Sequence, residues 1–506
     1  MKLSELLSKA DVRRIVGDQA VEITGLSCDS RRVEPGNLFF SLARDDGARR
    51  GHLEDALGRG ARAVVVRGGE VEARPAVTLV ECDRPRLLMG AAASRFYAAP
   101  SQRVDLVGVT GTSGKTTTTY LLASIFEAAG RSCGIIGTIG TFVHGRKISS
   151  GLTTPESLDL ECALAGMERA GVKCAAAEVS SIGLAEHRVD ELNFRAALFT
   201  NLGRDHLDYH QTLEDYFDAK LRLFTEIIPG SCHRDAFAVA RGDDPHGRQV
   251  LDAVRGRKVS FGLARSLDVY PEHFTADLSG IRATVSAFGR TFEITSPLIG
   301  EFNLLNILGA SALSVALGVD VAAVADGVRR CSGAPGRLEA VPVRSDITVL
   351  VDYAHKPDAL EAVLTMLRPL AKGGVICVFG CGGDRDRGKR PLMGAIAGRL
   401  ADVAVLTSDN PRTEDPLRII GEVEQGLMRA GLARRDSAAR GARGYLVEPD
   451  RRCAIAIAIR EAAPGDIVVI AGKGHEDYQI VGKQILNFDD RAIVREIAAE
   501  LGQGQS

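Results

Sequence analysis

The chain has 506 residues, 45% of them hydrophobic and 25% charged, and it is too long for a single hydrophobic core, so several domains are expected. Its 63 basic and 65 acidic residues give a formal net charge of −2, which argues against non-specific binding of nucleic acid. The N-terminal segment lacks the apolar stretch of a signal peptide, and no apolar run reaches the roughly 18 residues of a membrane span, so neither is predicted.

The ten cysteines are scattered along the chain and contain no CxxC pair. Cys377 and Cys381 lie closest together, and one of them falls in a predicted strand. Reduced thiols in a cytosolic protein are the prediction, because disulfides are rare in that compartment.

Apolar runs divide the chain into three blocks. The first block ends near Ala99 and contains Asn37–Leu42 and Arg62–Val66, two short runs between turns rich in Gly and Asp. The second opens with the run Val104–Val109, a loop of Gly and Thr, and an apolar-periodic stretch over 116–129. This order predicts a strand, a phosphate-type loop and a helix. Further strands are predicted at Cys174–Val179, Ala196–Asn201 and Phe237–Ala240.

The strongest single signal is the segment 108–118, GVTGTSGKTTT. A glycine-rich turn between a strand and a helix points backbone N–H groups and the helix N-terminus at a phosphate. Lys115 would then reach the β- and γ-phosphates, and the hydroxyl of Thr116 would bind Mg²⁺. Five residues separate Gly108 from Gly114, one more than GxxxxGK[ST] allows, so the loop is a variant. The motif predicts ATP or GTP binding and leaves a kinase, a switch and a ligase open.

Polar residues that follow the next predicted strands are candidates for a metal site. Glu178 ends a strand and suits Mg²⁺ if it lies beside the phosphate loop; a carboxylate facing solvent is the alternative. Asp205 and His206 could also serve a metal. Zinc is disfavoured, because no third ligand and no HExxH motif accompany His206 and His210. Lys220, in DYFDAKLRLF, has the local pattern of a solvated helix residue.

The third block repeats the alternation of strands and helices after a Gly- and Pro-rich linker at Ser332–Glu339. Each of its buried parallel strands precedes a loop of polar and small residues, where ligands bind in open parallel sheets. We therefore expect an α/β fold of three domains, with a central parallel-sheet domain of the P-loop type and a C-terminal Rossmann-like, doubly wound domain. The domains are predicted at 1–99, 100–332 and 333–506. The strands of the third block are predicted at Ile347–Asp352, Val375–Gly380, Asp402–Thr407 and Asp466–Ala471.

Ten motifs occur in this order along the chain: GVTGTSGKTTT, EVSS, TNLGRDHLDYH, YFDAK, GEFNLLN, GRLE, DYAHKPDALE, FGCGGDRDRGKRPLMG, SDNPRTEDP and AGKGHEDYQ. A further segment, LSCDSRRVEPGNLFF, lies near the N-terminus. In this combination the chain resembles the Mur ligase family over essentially its whole length. Ten ordered motifs are far more specific than any one of them.

The resemblance implies an ATP-dependent ligase of peptidoglycan synthesis. Its implied reaction adds meso-2,6-diaminopimelate to UDP-N-acetylmuramoyl-L-alanyl-D-glutamate through an acyl phosphate. The first domain would bind the UDP-sugar, the second ATP and the third the amino acid. ATP, Mg²⁺ and a carbamylated lysine are implied as cofactors, small molecules as the only partners, and a cytoplasmic monomer as the form of the protein.

The resemblance also implies roles for individual residues. Catalytic roles fall on Lys115, Glu178, His206 and Lys220, and the metal would be held by Thr116, Glu178, His206 and Lys220 as its carbamate. ATP contacts fall on Gly111, Thr112, Ser113, Gly114, Lys115, Thr116, Thr117, Asn303, Asn306, Arg337, Asp352 and His355. Contacts with the nucleotide-sugar peptide fall on Ser30, Thr153, Thr154, Ser180, Glu186 and Arg188. The pocket for the incoming amino acid would be formed by Arg385, Asp409, Asn410, Pro411, Arg412, Gly472 and Glu476.

Four positions depart from the family's pattern without removing a charged group of the implied chemistry. Ile182 stands at a frequent His, Ser113 at a frequent Asn, Arg241 at a common Asn, and Glu186 at a frequent Gln.

Three rival functions are compatible with a phosphate loop. A sister ligase of the same fold, either a lysine-adding muramoyl ligase or a folylpolyglutamate synthetase, is disfavoured by the DNPR segment and the uridine-type N-terminal block. A regulatory P-loop NTPase would not need the amino-acid motifs of the third block. An inactive homologue would not need to retain the four implied catalytic residues. For Arg412 itself, simple bracing of its loop is the alternative to binding a carboxylate.

Overall fold

The computed structural model describes residues 1–8, 11–43, 45–67, 76–149, 151–439, 441 and 443–503. Helices and strands alternate along much of the chain, as expected for an α/β fold. The chain divides into two compact units. The first comprises Met1–Phe274, Arg282–Thr295 and Phe302–Cys331, and the second comprises Thr275–Ile281, Ser296–Glu301 and the chain from Ser332 onward. In the described part of the chain, no helix is both long and apolar enough to cross a membrane.

A five-stranded sheet forms near the N-terminus, in the order β1-β5-β4-β3-β2. All neighbours in it are parallel except β1, which pairs antiparallel with β5. Its third and fourth strands are buried along almost their whole length, which explains their continuous apolar runs. The strands are β1 (Arg14–Val16), β2 (Gly25–Ser27), β3 (Asn37–Phe40), β4 (Ala63–Arg67) and β5 (Thr78–Cys82), and the helices are α1 (Leu3–Leu6), α2 (Asp46–Gly58) and α3 (Pro85–Phe96).

An eleven-stranded sheet follows, in the order β16-β15-β14-β13-β12-β11-β6-β10-β7-β8-β9. Its strands are β6 (Asp105–Thr110), β7 (Cys133–Gly137), β8 (Gly140–Val143), β9 (Arg146–Ser149), β10 (Cys174–Glu178), β11 (Phe194–Phe199), β12 (Phe237–Arg241), β13 (Arg257–Phe261), β14 (Val269–Asp277), β15 (Gly280–Ala287) and β16 (Arg290–Ser296). The helices are α4 (Lys115–Ala128), α5 (Ser157–Arg169), α6 (Ser181–Ala185), α7 (Leu213–Arg222), α8 (Ile228–Gly230), α9 (Pro245–Ala253), α10 (Glu301–Ala316) and α11 (Val321–Arg330). Strand β6 pairs in parallel with β10 and β11, so polar residues that follow these three strands meet at one edge.

A seven-stranded sheet forms in the second unit, in the order β17-β18-β23-β19-β20-β22-β21, and only β17 is antiparallel to its neighbour. Its strands are β17 (Glu339–Ala340), β18 (Thr348–Asp352), β19 (Val375–Phe379), β20 (Val403–Leu406), β21 (Ala433–Arg434), β22 (Gly444–Val447) and β23 (Ile467–Ala471). A separate hairpin has strands β24 (Tyr478–Val481) and β25 (Gln484–Asn487). The helices are α12 (Pro357–Leu367), α13 (Lys389–Leu400), α14 (Pro416–Arg429), α15 (Arg451–Glu461) and α16 (Asp490–Gln503).

Helices cover both faces of this sheet. Alternate strand residues enter two different cores: Leu350 and Cys377 pack with residues of α12, α13 and α14, whereas Val351 and Val378 pack with residues of α15 and α16. The doubly wound architecture expected for the third block is therefore confirmed.

All the predicted strands form, with ends shifted by at most two residues. The loop 332–338 is irregular, as expected of a linker. The domain borders at 99 and 332 stay a prediction. All ten cysteines, each at a described position, are free thiols. Cys377 lies in β19, and burial raises its pKa to about 12, so it is an inert core thiol.

Candidate active site

The glycine-rich loop joins β6 to α4, and two of its glycines are required by geometry. Gly111 and Gly114 have φ values of 142° and 86°, in the region that favours glycine. A Cβ at Gly111 would lie 1.9 Å from Oγ1 of Thr200, and one at Gly114 would lie 2.3 Å from Oδ1 of Asn306. Gly108 lies inside β6, where a Cβ would meet the ring of Phe194 at 2.9 Å. Gly108 is therefore a strand residue, and the loop begins at Gly111.

The segment after β11 braces this loop. The backbone N–H of Ser113 donates to Oδ1 of Asn201 at 3.0 Å, and Thr200 Oγ1 donates to the carbonyl of Ser113 at 2.7 Å. The N–H of Gly203 donates to Thr112 Oγ1 at 2.8 Å. The sequence did not point to Thr200, Asn201 or Gly203 as loop partners. The adjacency of β6 and β11, which no local pattern reveals, creates these contacts.

Two lysines converge on the loop. Lys115, the first residue of α4, donates from Nζ to the carbonyls of Gly111 and Thr112, at 2.8 and 2.9 Å. Lys220 of α7 donates from Nζ to the same Gly111 carbonyl at 3.0 Å. Thr116, beside Lys115, is buried, and Thr117 is half-buried.

Lys220 is 1% exposed, so the solvated helix residue expected from its local pattern is wrong. Its Nζ lies 4.4 Å from the centre of the Tyr216 ring. Burial, and then the charge of Lys115, hold the pKa of Lys220 well below its usual range, while Asp205 acts in the opposite direction. The amine is therefore favoured in its neutral, nucleophilic form.

Glu178 ends β10 and is 1% exposed, so a solvent-facing strand end is also wrong. Its carboxylate accepts from the N–H and the hydroxyl of Thr138, at 2.9 and 3.0 Å. A Cβ at Gly137 would lie 2.2 Å from its Oε1, so only glycine leaves room for this carboxylate.

His206 lies in a turn and has a φ of 54°, and its Nε2 is 3.5 Å from the carboxylate of Asp205. The Tyr216 ring lies 6.0 Å from His206 and 5.3 Å from His210, and its hydroxyl is 3.1 Å from Thr112 Oγ1. Nε2 of His210 forms a hydrogen bond of 2.9 Å with the hydroxyl of Ser181. Tyr216 thus joins the phosphate loop, Lys220 and His206, a role that the sequence did not indicate.

The donor set fits magnesium better than zinc. Across the described residues, no three His, Cys, Asp or Glu side chains form a ready metal cluster. The carboxylate of Glu178 and the hydroxyl of Thr116 are oxygen donors, which suit Mg²⁺, an ion that usually keeps water and phosphate oxygens as further ligands.

Four residues expected to contact the nucleotide-sugar peptide lie together beside Glu178. Thr154 Oγ1 donates to the backbone carbonyl of Glu178 at 2.9 Å and accepts from the N–H of Ser180 at 2.9 Å. The hydroxyls of Thr153 and Thr138 are 3.0 Å apart. Arg188 Nη1 donates to the Thr154 carbonyl at 2.9 Å.

Glu186 lies at the rim of a neighbouring cavity and is 2.7 Å from Nε of Arg86. It also accepts from the hydroxyl of Tyr209 at 2.5 Å. The cavity has a volume of about 190 Å³, and its lining includes four arginines: Arg49, Arg67, Arg84 and Arg86. These cations were not singled out in the sequence, because they are spread over 38 positions of chain.

Ser30, the remaining candidate of this group, lies on a 3₁₀ turn whose N-cap is Asp29. Its hydroxyl bonds to Asp55 and, after the larger effect of Arg59, lowers the pKa of that carboxyl. Asn303 and Asn306 are buried side by side in α10, with a hydrogen bond of 3.1 Å between their side chains.

In the second unit, three residues expected to contact ATP surround Tyr353. The guanidinium carbon of Arg337 lies 4.7 Å from the ring centre. The buried carboxylate of Asp352 accepts from the N–H groups of Leu338 and Ala354, at 2.7 and 2.8 Å. His355 Nδ1 bonds to the Tyr353 carbonyl at 2.8 Å, and burial lowers its pKa to about 4, so its imidazole is neutral near pH 7.

The loops that follow β20 and β23 meet around Asn410. Its Nδ2 donates to Oε2 of Glu476 at 2.9 Å, and its backbone carbonyl lies 3.4 Å from Nη1 of Arg412. Arg412 Nη1 also donates to the Gly383 carbonyl at 2.9 Å. A Cβ at Gly472, where φ is 119°, would lie 2.7 Å from Oδ2 of Asp409. These are the loops expected to bind the amino acid.

Bracing therefore accounts for one nitrogen of Arg412. Within the described residues, its Nε and Nη2 make no hydrogen bond, so the side edge of the guanidinium remains open to a ligand. The carbonyl oxygen of Pro411 lies close to the loop that follows β19, since a Cβ at Gly383 would lie 1.9 Å from this oxygen. Arg385 is exposed, and its Nη1 donates to the Asp384 carbonyl at 3.2 Å.

Comparison with known proteins identifies the family. Residues 109–314 match the Mur ligase middle domain, and residues 336–474 match the Mur ligase, glutamate ligase domain. The chain is 43% identical, over an alignment of 515 residues that covers 100% of both chains, to the UDP-N-acetylmuramoyl-L-alanyl-D-glutamate–2,6-diaminopimelate ligase of Geobacter metallireducens. The chain belongs to the Mur ligase family. A ligase of the same name from Geobacillus thermodenitrificans is 41% identical to this Mur ligase over 99% of it and 100% of the relative.

Solved structures of Mur ligases share the fold. A structure of a UDP-N-acetylmuramoyl-L-alanyl-D-glutamate–2,6-diaminopimelate ligase aligns with a TM-score of 0.69 at 33% identity and covers 99% of both chains. The MurF ligase of Thermotoga maritima, solved in complex with ADP, aligns with a TM-score of 0.62 over 97% of this chain and 100% of the other. At 18% identity, the second match supports the fold alone.

Of the four positions at which this Mur ligase departs from the family's pattern, two have a local explanation. The charge of Glu186 allows an ion pair with Arg86 that a Gln could not form. Arg241 pairs with Asp243 at 2.6 Å, where β12 ends. Ser113 contributes backbone groups to its loop, and Ile182 is half-buried in α6. Nothing in the structure explains the choice of Ile182.

Proposed function

We propose that this Mur ligase adds meso-2,6-diaminopimelate to UDP-N-acetylmuramoyl-L-alanyl-D-glutamate, with ATP as the energy source. The observation that carries the proposal is the pair of opposite charges on either side of Asn410, which contacts both Arg412 and Glu476. The far end of diaminopimelate carries an ammonium and a carboxylate, whereas the far end of lysine carries only an ammonium. A guanidinium beside a carboxylate matches that end, because each group meets a partner of opposite charge.

The reaction needs activation, because a carboxylate is a poor electrophile. The D-glutamyl side-chain carboxylate attacks the γ-phosphorus of ATP, the bond to the β-phosphate oxygen breaks, and ADP leaves. The amine of diaminopimelate then attacks the acyl phosphate and loses a proton. Collapse of the tetrahedral intermediate expels inorganic phosphate and leaves the amide. The ammonium of Lys115, held at the loop, stabilises charge on the oxygens in transfer.

Mg²⁺ would be held by Thr116, Glu178 and His206, and when bound it supplies charge stabilisation to the phosphate oxygens. Lys220 would add an oxygen donor after carbamylation. Its neutral Nζ attacks the carbon of CO₂, one C–O π bond opens to give an anionic oxygen, and the amine proton passes to solvent. The burial of Lys220 supports this step, since it favours the unprotonated amine.

The cavity with four arginines supports binding of the UDP part of the substrate. A diphosphate needs cations, and an arginine guanidinium binds phosphate oxygens in a bidentate manner. Glu186 lines this cavity, and Arg188, which pairs with Glu156 at 3.1 Å, donates to Thr154 near Glu178. A nucleotide in the cavity could therefore extend its peptide toward the phosphate loop. We further propose a cytoplasmic, monomeric enzyme, the form that the resemblance implies.

The test is phosphate release from ATP with the muramoyl dipeptide nucleotide and one amino acid at a time. Release that depends on meso-diaminopimelate is the expected result. Release with lysine instead would indicate a sister ligase. Release without any amino acid would indicate a regulatory NTPase, and no release under any condition would indicate an inactive homologue.

A further inference from the structure

Lys473 is a fully buried cation that contacts two residues of the proposed amino-acid pocket, with a side-chain exposure of 0%. Burying an ammonium is costly unless its hydrogen bonds are satisfied. Its Nζ reaches Oε2 of Glu476 at 3.1 Å, Oδ1 of Asn410 at 3.4 Å and the backbone carbonyl of Tyr478. Three acceptors match the three N–H donors of an ammonium.

These contacts fix the orientation of two pocket residues. Oδ1 of Asn410 accepts hydrogen bonds from Nζ of Lys473 and, at 2.9 Å, from the N–H of Ile480. Because these two donors fix the position of Oδ1, Nδ2 of the same amide faces Glu476. Both hydrogen bonds of the Glu476 side chain fall on Oε2. Oε1 accepts no hydrogen bond from the part of the chain that the structure describes, so it is the oxygen that can meet a ligand.

We propose that Lys473 is a positioning residue for amino-acid selection, an inference that rests on the proposed function. It holds Oε2 of Glu476 and the amide of Asn410, and thereby turns Oε1 of Glu476 toward the ammonium of the incoming amino acid. It also anchors the start of the β24–β25 hairpin through the Tyr478 carbonyl. That hairpin in turn fixes the backbone of Arg412, whose N–H donates to Ile480 at 3.0 Å and whose carbonyl accepts from Gly482 at 2.7 Å.

The test compares Lys473→Met with Lys483→Met, the same substitution at an exposed lysine of the same hairpin. Lys473→Met should raise the KM for diaminopimelate by about 10- to 100-fold, the range expected when charge-assisted hydrogen bonds are lost. The KM values for ATP and the nucleotide-sugar should stay within about twofold of the parent. Lys483→Met should leave all three unchanged. An unchanged KM for diaminopimelate in folded Lys473→Met overturns the proposal.

A double variant separates positioning from a structural role. If Lys473 acts through Glu476, the variant carrying both Glu476→Gln and Lys473→Met should have the same amino-acid KM as Glu476→Gln alone, because the two effects are not additive. A further loss of about tenfold or more would mean that Lys473 acts by a route other than Glu476, and would overturn the claim that it positions Oε1 of Glu476. This comparison also serves if Lys473→Met alone is unstable, since the double variant leaves no unpaired buried charge.

The outcome is independent of which amino acid the enzyme consumes. If the parent uses an amino acid other than diaminopimelate, the proposed function fails, but the same comparison can be made with the amino acid it does use. A selective rise in that KM would still support the positioning role of Lys473.

Discussion

At the scale of single residues, the carbonyl of Gly111 is shared by two lysines. It accepts from both Lys115 and Lys220, although 109 positions of chain separate Gly111 from Lys220. Burial first, and then the charge of Lys115 at the same oxygen, hold the pKa of Lys220 below its usual range. The two lysines should therefore differ in function: Lys115 as a cation, Lys220 as a nucleophilic amine.

Replacing Lys115 with Ala removes the cation at the phosphate loop. Loss of one preorganised donor to a transition-state oxygen typically costs roughly 2.7–4 kcal/mol, so kcat should fall by at least about 10²-fold. Steady-state phosphate release measures this. Activity near that of the parent would mean that the loop does not carry the phosphoryl transfer.

Lys220→Ala should be nearly inactive, because no side chain remains to carry the carbamate. A short carboxylic acid such as acetate or propionate should restore part of the activity by supplying the missing anion. Lys173→Ala, at an exposed position, is the control and should behave as the parent. Full activity of Lys220→Ala without additives would contradict the carbamate role.

Arg412 should decide between diaminopimelate and lysine. Lysine would leave its open guanidinium edge without a carboxylate, and charged hydrogen bonds worth about 1.5–3 kcal/mol each give roughly 10²–10⁴-fold discrimination for two. Arg412→Ala should lose most of this ratio of kcat/KM values, while Arg418→Ala, on the exposed side of α14, should keep it. A parent that prefers lysine, or an Arg412→Ala variant with the parent's ratio, would refute the assignment.

At the scale of elements, helix α5 carries a buried acid against α3. Glu161 is 1% exposed, and burial, assisted by the charge of Glu191, raises its pKa to about 8. Between its usual pKa of 4.5 and about 8, the folded chain keeps a proton that the unfolded chain has lost. Stability from this group is therefore complete below pH 4.5 and is lost as the pH rises to about 8.

Glu161→Gln removes this titration. Its melting temperature should exceed that of the parent by a margin that grows between pH 5 and pH 8 and then levels off. Glu127→Gln, at an exposed position on α4, should show a margin that does not change with pH. Melting curves at several pH values make the comparison. A constant margin for Glu161→Gln would mean that its carboxyl is not buried as described.

The elements were largely predictable, because buried parallel strands are continuous apolar runs. Val375–Gly380, for example, was predicted as a strand and forms β19 at Val375–Phe379. The site was predictable only where a motif carried it. The burial of Lys220, the contacts of Thr138 with Glu178 and those of Lys473 with Asn410 join positions 40 or more residues apart, so no local pattern contains them. The β24–β25 hairpin was missed because its residues are mostly exposed and polar at the turn.

At the scale of the whole molecule, the two compact units divide the proposed work. The first unit holds the phosphate loop, Lys220, Glu178 and the arginine-lined cavity, and the second holds Arg412, Glu476 and Lys473. Activation of the carboxylate therefore falls to one unit, and choice of the amine to the other. Variants of the first group should depress turnover with every amino acid, whereas variants of the second should change which amino acid is used.

The most direct measurement of the central claim is the identity of the product. The purified chain is incubated with ATP, Mg²⁺, UDP-N-acetylmuramoyl-L-alanyl-D-glutamate and equal amounts of meso-diaminopimelate and L-lysine. The mass of the nucleotide product is then measured by mass spectrometry. We predict a single product that has gained diaminopimelate less one water, with one ATP converted to ADP for each amide formed. A lysine adduct, or consumption of ATP without any adduct, would contradict the account.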